Sequence, residues 1–322
     1  MKKVVLTTLI MMSLNAIGQN VMSPELLWKL GRVTPLGISK DAKNVVFKVS
    51  TPSVADNKST SKIYTIPVNG GTATEIKDTK EILADKNISP DGKFVVYNEE
   101  VKLESVLGKD FYPSLTKSDA QIYDGLDYRH WDTWNEGKFN HVFYKENKDG
   151  AKGTDIMKGE NFDSPQKPFG GDEDYIWSPD SKSIFYVCKK KAGTAYAIST
   201  NTDIYEYNLE TQKTTNKTEG NLGYDTAPQF SPTGNLSWLQ MKRDGYESDK
   251  NDIIVEFKGI KTNLTANWDG TVDNFIWSKD GKTVFFVAPI DGTKQLFSVN
   301  FPGLTRIAIN VRQLTNGDFD VN

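Results

Sequence analysis

The chain has 322 residues but only one cysteine and two histidines. A single cysteine, Cys188, rules out an intrachain disulfide and any cysteine-rich metal site. It falls inside an apolar run, where a buried, inert thiol is expected. Neither charge sign dominates: 39 Lys and Arg stand against 42 Asp and Glu, a net charge of −3. No basic stripe exists to neutralise a phosphate backbone, so nucleic acid is not an expected partner. Gly-x-Ser-x-Gly, a Gly-rich phosphate loop and His-Glu-x-x-His are all missing. No cofactor or metal is expected. After the first residues there is no apolar run long enough to span a bilayer.

What is there begins with Lys2 and Lys3, an apolar stretch over 4–14, and small residues Ala16 and Gly18. This reads as a secretory signal peptide over residues 1–18, leaving a mature chain 19–322 in a periplasmic or extracellular space. No membrane span is expected once the signal is removed. The rest of the chain is dominated by one repeating unit: an apolar residue, Ser, a turn, then a continuous apolar run. Trp177-Ser178-Pro179-Asp180-Ser181-Lys182 leads into Ser183-Ile184-Phe185-Tyr186-Val187, and Trp277-Ser278-Lys279-Asp280-Gly281-Lys282 leads into Thr283-Val284-Phe285-Phe286-Val287. Further copies start at Ile38-Ser39, Ile88-Ser89 and Phe230-Ser231, the last with its apolar residues slipped by one.

Pro presets φ in such a turn, Asp bonds its own backbone, and Gly takes up positive φ. The following run is apolar without alternation, as in a strand covered on both faces. A second strand follows in each unit (Asp203-Ile204-Tyr205, Asp252-Ile253-Ile254), then a short outer strand ending in Thr, as in Asn263-Leu264-Thr265. Four strands per unit at a period near 48 residues describe an all-β propeller. The repeat serines are spaced by 50, 89, 53 and 47 residues. The gap of 89 suggests a sixth, degenerate unit within residues 123–170. About six blades are thus expected, closed as they stand or forming part of a seven- or eight-bladed propeller whose chain continues. The second of these is favoured.

The least repetitive part is an insertion over about residues 100–170, which holds both histidines. Its segment Arg129-His130-Trp131-Asp132-Thr133-Trp134 has two readings. Arg129, His130, Trp131, Asp132 and Trp134 face a chamber and contact a peptide, Arg for a carboxylate and Trp for apolar groups. Alternatively Trp131 and Trp134 plug the insertion onto the propeller and Arg129 pairs with Asp132. Asp174, Asp225 and Asp273, just before inner strands, are expected to bond blade turns. The Glu99-Glu100 pair is a weaker candidate for holding a peptide amino terminus.

Together these features resemble the N-terminal propeller of prolyl oligopeptidase-family serine peptidases, nearest the bacterial dipeptidyl-peptidase and acylaminoacyl-peptidase-like enzymes. The resemblance covers essentially all of residues 19–322. It implies a propeller that restricts entry to short peptides and docks on a C-terminal α/β-hydrolase domain, which supplies a serine nucleophile, Asp and His. This chain has no such elbow and no histidine after His141. With no imidazole to take the serine proton, it is expected to be inactive by itself. The competing expectation is a stand-alone, TolB-like periplasmic propeller binding a protein or ligand. Homo-oligomerisation is left open.

Overall fold

The computed structural model describes residues 22–126, 132–305 and 309–321. The signal segment 1–18 lies outside the described residues. The chain forms two compact units, one ending at Asp85 and one beginning at Lys86. The first unit contains β1 (Arg32–Ile38), β2 (Asn44–Ser53), β3 (Lys58–Pro67) and β4 (Thr74–Ile76), an antiparallel meander preceded by a short helix, Pro24–Lys29. Ser23 caps that helix, its Oγ accepting from the Leu26 amide at 3.2 Å.

The second unit holds four more sheets. β5 (Phe94–Lys102), β6 (Lys138–Glu146) and β7 (Thr154–Asp155) form a three-stranded sheet. β8 (Tyr175–Trp177), β9 (Ser183–Cys188), β10 (Asp203–Asn208) and β11 (Lys213–Asn216) form the next. They are followed by β12 (Asp225–Phe230), β13 (Leu236–Gln240), β14 (Asp252–Phe257) and β15 (Ile260–Asn263), and then by β16 (Asn274–Trp277), β17 (Thr283–Ile290), β18 (Thr293–Asn300) and β19 (Val311–Gln313). Every sheet is an antiparallel meander, the blade of a β-propeller. No helix among the described residues is long and apolar enough to cross a membrane.

Five blades, not six or more, are present among the described residues. The sixth unit expected within residues 123–170 is not a blade. Residues 138–155 supply β6 and β7 of the second blade, and β5 pairs directly with β6 from Phe94↔Glu146 to Lys102↔Lys138. The gap of 89 residues is therefore one blade with an insertion, residues 103–137, between its two long strands. The inner strand of this blade is reduced to a bridge, Ile88↔Val95.

The repeated turn has one hydrogen-bonding plan. Ser39, Ser89, Ser178 and Ser278 each donate through Oγ to the Asp two residues on, at 2.6, 2.7, 2.7 and 2.6 Å. Each Oγ also accepts from the amide five residues on, at 2.9–3.0 Å. In the fourth blade Thr233 replaces the Asp and the turn is one residue shorter, so Ser231 Oγ accepts from Asn235 instead. That accounts for the slip in its apolar pattern. The residue three after each Ser sits at positive φ: Ala42 59°, Gly92 75°, Ser181 62°, Gly234 84°, Gly281 67°. This is the left-handed region where glycine is favoured.

The continuous apolar runs serve two blades at once, because successive strand residues point to opposite faces. In β9, Ile184, Tyr186 and Cys188 pack with Val96, Val142 and Trp177, while Phe185 and Val187 pack with Leu236, Trp238 and Ile254. A third core joins Leu239, Ile253 and Val255 to Phe275, Trp277, Val284 and Phe286. Fully burying one such side chain contributes about 1.5–3 kcal/mol. The strands are thus held mainly by their neighbours in adjacent blades.

Candidate functional site: the loops opposite the serine turns

In an antiparallel meander the turn after the first strand and the loop after the second lie at opposite ends of the blade. Contacts between blades keep these ends separate throughout the second unit. At one end the serine turns touch each other: the Asp91 amide donates to Ser181 Oγ at 3.0 Å. At the other end are the insertion 103–137, the loop 189–202 and the loop 241–251. Ser199 Oγ and the Thr200 amide both donate to Asp244 Oδ1, at 2.6 and 2.8 Å. The Tyr196 hydroxyl donates to the Lys167 carbonyl in the segment joining the second and third blades. Lys189 is buried and its ammonium donates to the carbonyls of Ser199 (2.7 Å) and Tyr196 (3.2 Å). Burial pulls the Lys189 pKa down.

The insertion is pinned at its stem. Lys102 Nζ donates to the Glu136 carbonyl and to Asp110 Oδ2, both at 2.6 Å. Asp110 Oδ2 also accepts from the Val106 and Leu107 amides at 3.0 and 2.9 Å. These donors, the lysine first, lower the Asp110 pKa to about 2. Gly137 closes the stem at φ 73°, its carbonyl accepting from the Leu103 and Glu104 amides. A Cβ there would lie 2.1 Å from the Glu104 carbonyl oxygen, so no other residue fits.

Within the insertion, residues 120–122 run beside 106–108. The Gly108 amide donates to the Ala120 carbonyl, and the Ile122 amide to the Val106 carbonyl, each at 2.7 Å. In this extended stretch Asp119, Gln121 and Tyr123, two residues apart, share one face. Trp134 stacks on Tyr123 with ring centroids 5.8 Å apart and planes 25° from parallel. The Tyr123 hydroxyl donates to the Asn135 carbonyl at 2.7 Å and lies 3.0 Å from Gln121 Oε1. These four residues line an open hollow of about 380 Å³.

Arg129, His130 and Trp131 lie outside the described residues. Asp132 is exposed in a turn, and Trp134 is half-exposed in the hollow's wall. Asp119, Gln121 and Tyr123 were not singled out from the sequence. Their alternation is visible there, but nothing local shows that this stretch is extended. Glu99 and Glu100 are consecutive in β5, so their side chains leave opposite faces of the strand and cannot close on one ammonium group. Glu100 instead lies 3.7 Å from Lys138 and 4.0 Å from Lys167.

His141 is completely buried on β6. Its Nδ1 is 2.8 Å from Asp155 Oδ2 and its Nε2 is 2.8 Å from the Glu160 carbonyl. Both partners are acceptors, so the doubly protonated ring satisfies both bonds. Burial works against that charge, but the Asp155 bond and charge and the Glu160 carbonyl outweigh it and raise the pKa. An imidazole engaged at both nitrogens and closed to solvent is not placed to take a proton from a serine. Cys188 is buried and burial pushes its thiol pKa up, so it is unreactive. Among the described residues no group of three or more His, Cys, Asp or Glu could hold a metal ion.

Of the three aspartates expected to bond blade turns, Asp174 bonds a loop amide, whereas Asp225 is held chiefly by side chains of β13 and Asp273 by an ion pair. Asp225 is fully buried and accepts from Trp238 Nε1 (2.8 Å), Gln240 Nε2 (2.7 Å) and Asn221 Nδ2 (3.0 Å). Asp174 Oδ2 accepts from the Gln166 amide at 2.9 Å, and Asp273 pairs with Lys294 at 2.7 Å.

Antiparallel blades, serine turns at one end and elaborated loops at the other define a β-propeller. Comparison of sequences carries this further. The chain is 35% identical to dipeptidyl-peptidase 5 of Porphyromonas gingivalis over 93% of its own length, and 34% identical to that of Porphyromonas endodontalis over 94%. It covers 50% of each of these proteins, so the chain spans about half the length of the curated relatives it matches. Among solved structures, the acylaminoacyl peptidase of Pyrococcus horikoshii matches over 90% of this chain and 47% of that one, with a TM-score of 0.61 at 13% identity, which bears on the fold alone. No family model matches the sequence. The chain belongs to the prolyl oligopeptidase family, whose β-propeller region it carries.

Proposed function

We propose that this chain is the substrate-gating and docking portion of an exported serine peptidase acting on short peptides. The observation that carries this reading is the 35% identity to a dipeptidyl-peptidase 5 across 93% of the chain. The catalytic serine, aspartate and histidine belong to an α/β-hydrolase domain encoded beyond residue 322. The propeller admits short peptides past its loop end, and the insertion 103–137 is its most elaborate loop. Export rests on the basic and apolar residues at the start of the chain.

Two measurements test this together. The reading frame after Asn322 is expected to continue into a Gly-x-Ser-x-Gly elbow followed by Asp and His. The purified 322-residue chain is expected to leave dipeptide reporter substrates intact, while the extended product cleaves them. A stop codon directly after Asn322 would overturn the peptidase reading in favour of a stand-alone binding propeller. Turnover by the short chain would overturn the assignment of catalysis to a second domain.

A further inference from the structure

His141 lies under a segment that ties two loops to the second blade. Its ring is fully buried on β6, with Nδ1 2.8 Å from Asp155 Oδ2 and Nε2 2.8 Å from the Glu160 carbonyl. Residues 157–160 form a turn, the Glu160 amide donating to the Met157 carbonyl at 2.9 Å. Glu160 thus gives its carbonyl to the ring, while its carboxylate accepts from Lys190 Nζ at 2.8 Å, at the start of loop 189–202. Asn161 Nδ2 donates to Glu104 Oε1 at 2.8 Å, in the stem of the insertion. The far end of the segment returns to β6. There Asp163 Oδ1 accepts from the Asn140 amide and the Ser164 amide donates to the Asn140 carbonyl, both at 2.8 Å.

Two bonds to two acceptors need two ring protons, and a neutral imidazole has one. Asp155, an ionised carboxylate, makes the stronger bond and keeps that proton. Nε2 then turns a lone pair on the Glu160 carbonyl oxygen, in a site closed to water. The Glu160 carbonyl is therefore the partner that is let go. Ile156 and Met157 stay buried in the core between the second and third blades, so the release falls on residues 158–163. The charged groups around the ring are Asp155 on β7, Glu160 and Asp163 on the segment, and Glu99, opposite it in the β5–β6 register. Lys190 and Lys167 pair with Glu160 and Asp163. Burial opposes the ring's charge, but the Asp155 bond and charge and the Glu160 carbonyl outweigh it, so the second proton is held above the ordinary imidazole pKa of about 6.5.

We infer that the doubly protonated His141 ring is a clasp for the loop end: it fastens residues 158–163, steadies loop 189–202 through Glu160 and the insertion stem through Asn161, and loosens all three when one proton leaves. The device goes beyond the peptidase reading and does not rest on it, since it concerns only this chain's own loops.

Hydrogen exchange and 15N NMR of the purified chain over about pH 6 to 9 test it. The sequence has two histidines, so 15N-histidine labelling gives two ring systems, assigned with His130→Ala. The His141 ring is expected to carry protons on both nitrogens at the acid end and to lose one as pH rises. Over the same step, protection of the Glu160 and Ser164 amides is expected to fall about tenfold after correction for intrinsic exchange, with a smaller fall in loop 189–202 and none in β17. Asp155→Asn removes the charge but keeps an acceptor, and is expected to move the ring and amide transitions to lower pH together. Asp174, pushed up to about 7 by burial, titrates in the same range, and a transition belonging to it would not move in D155N. Glu160→Gln keeps the backbone carbonyl but weakens the tie to Lys190, so loop 189–202 is expected to stop following pH while the Glu160 amide still does. His141→Gln is expected to hold the loosened state at every pH, and D155N keeps the inference testable if that variant misfolds. A ring singly protonated throughout, amide protection that ignores the ring's titration, or an amide transition unmoved by D155N would overturn it.

Discussion

Trp277 Nε1 donates to Ser237 Oγ across two blades at 2.9 Å, both side chains being buried. Trp177 makes the corresponding bond two interfaces earlier, to the Asn87 carbonyl at 2.8 Å. At the interface between them Phe230 stands in the same repeat position and meets Phe185 edge-on, with centroids 5.1 Å apart. In the third, fourth and fifth blades the residue before the repeat serine therefore fastens its blade to the preceding one, by a hydrogen bond where it is Trp and by ring packing where it is Phe.

Replacing Trp277 by Phe removes that bond but keeps an aromatic ring. A cost of about 1–2 kcal/mol in unfolding free energy is expected, against about 3–5 kcal/mol for Trp277→Ala. Denaturant titration with tryptophan-independent detection measures both. Equal losses would show that the indole N–H contributes nothing beyond packing.

Ala42 holds the left-handed position of its serine turn at φ 59°. Ala42→Gly is expected to stabilise the first unit by roughly 0.5–1 kcal/mol, because the strain of a Cβ at positive φ outweighs glycine's extra chain entropy. The same change at Ser181, φ 62°, is expected to destabilise, since its Oγ accepts the Asp91 amide of the preceding blade at 3.0 Å. Opposite shifts in thermal midpoint are the signature.

Stability is expected to fall as pH rises from about 4 to 7. Burial pushes Asp174 up to about 7 and Asp225 up to about 6. A raised pKa means the folded state holds the proton more tightly, so the contribution is complete below the unfolded carboxylate pKa and lost through the folded one. His141, also raised, adds a loss of the same sign above its unfolded pKa of about 6.5. The serine-turn aspartates run the other way. Asp91, lowered to about 2 by Ser89 and Lys93, contributes stability that is lost only as pH drops below about 4. Urea midpoints at pH 5 and 8 give the slope, and Asp174→Asn, which keeps an acceptor for the Gln166 amide, is expected to flatten it.

Gly137→Ala drives a Cβ into the Glu104 carbonyl oxygen at 2.1 Å and imposes strain at φ 73°. The insertion stem must open, at a cost of about 2 kcal/mol or more. Hydrogen exchange is expected to rise at Leu103, Glu104 and Gly108 while β9 and β17 remain protected. Uniform loss of protection would mean that the insertion and the propeller core unfold as one.

Much of the fold is legible in the residues themselves. Ser-Pro-Asp-Gly turns mark each blade because Oγ, carboxylate and left-handed glycine satisfy one local hydrogen-bonding plan. Runs such as Ile184-Phe185-Tyr186-Val187 announce strands covered on both faces. The blade count is less legible. A gap of 89 residues fits a degenerate blade and an insertion equally well, because the pairing of β5 with β6 across residues 103–137 has no local signature. The site shows the same division. Trp134 stands out by residue type, whereas Asp119, Gln121 and Tyr123 look like ordinary loop residues until the bonds to Val106 and Gly108 extend them.

The sequence by itself determined the repeat: which residues turn, which strands are buried, and that the chain carries its two histidines in one atypical stretch. These follow from short-range chemistry, within about six residues of each serine. Only the tertiary structure decided that His141 is locked between Asp155 and Glu160, that Trp177 and Trp277 fasten neighbouring blades, and that Trp134 stacks on Tyr123. Those relations join residues separated by 11 to 90 positions. They are fixed by packing and pairing between segments, which no local pattern encodes.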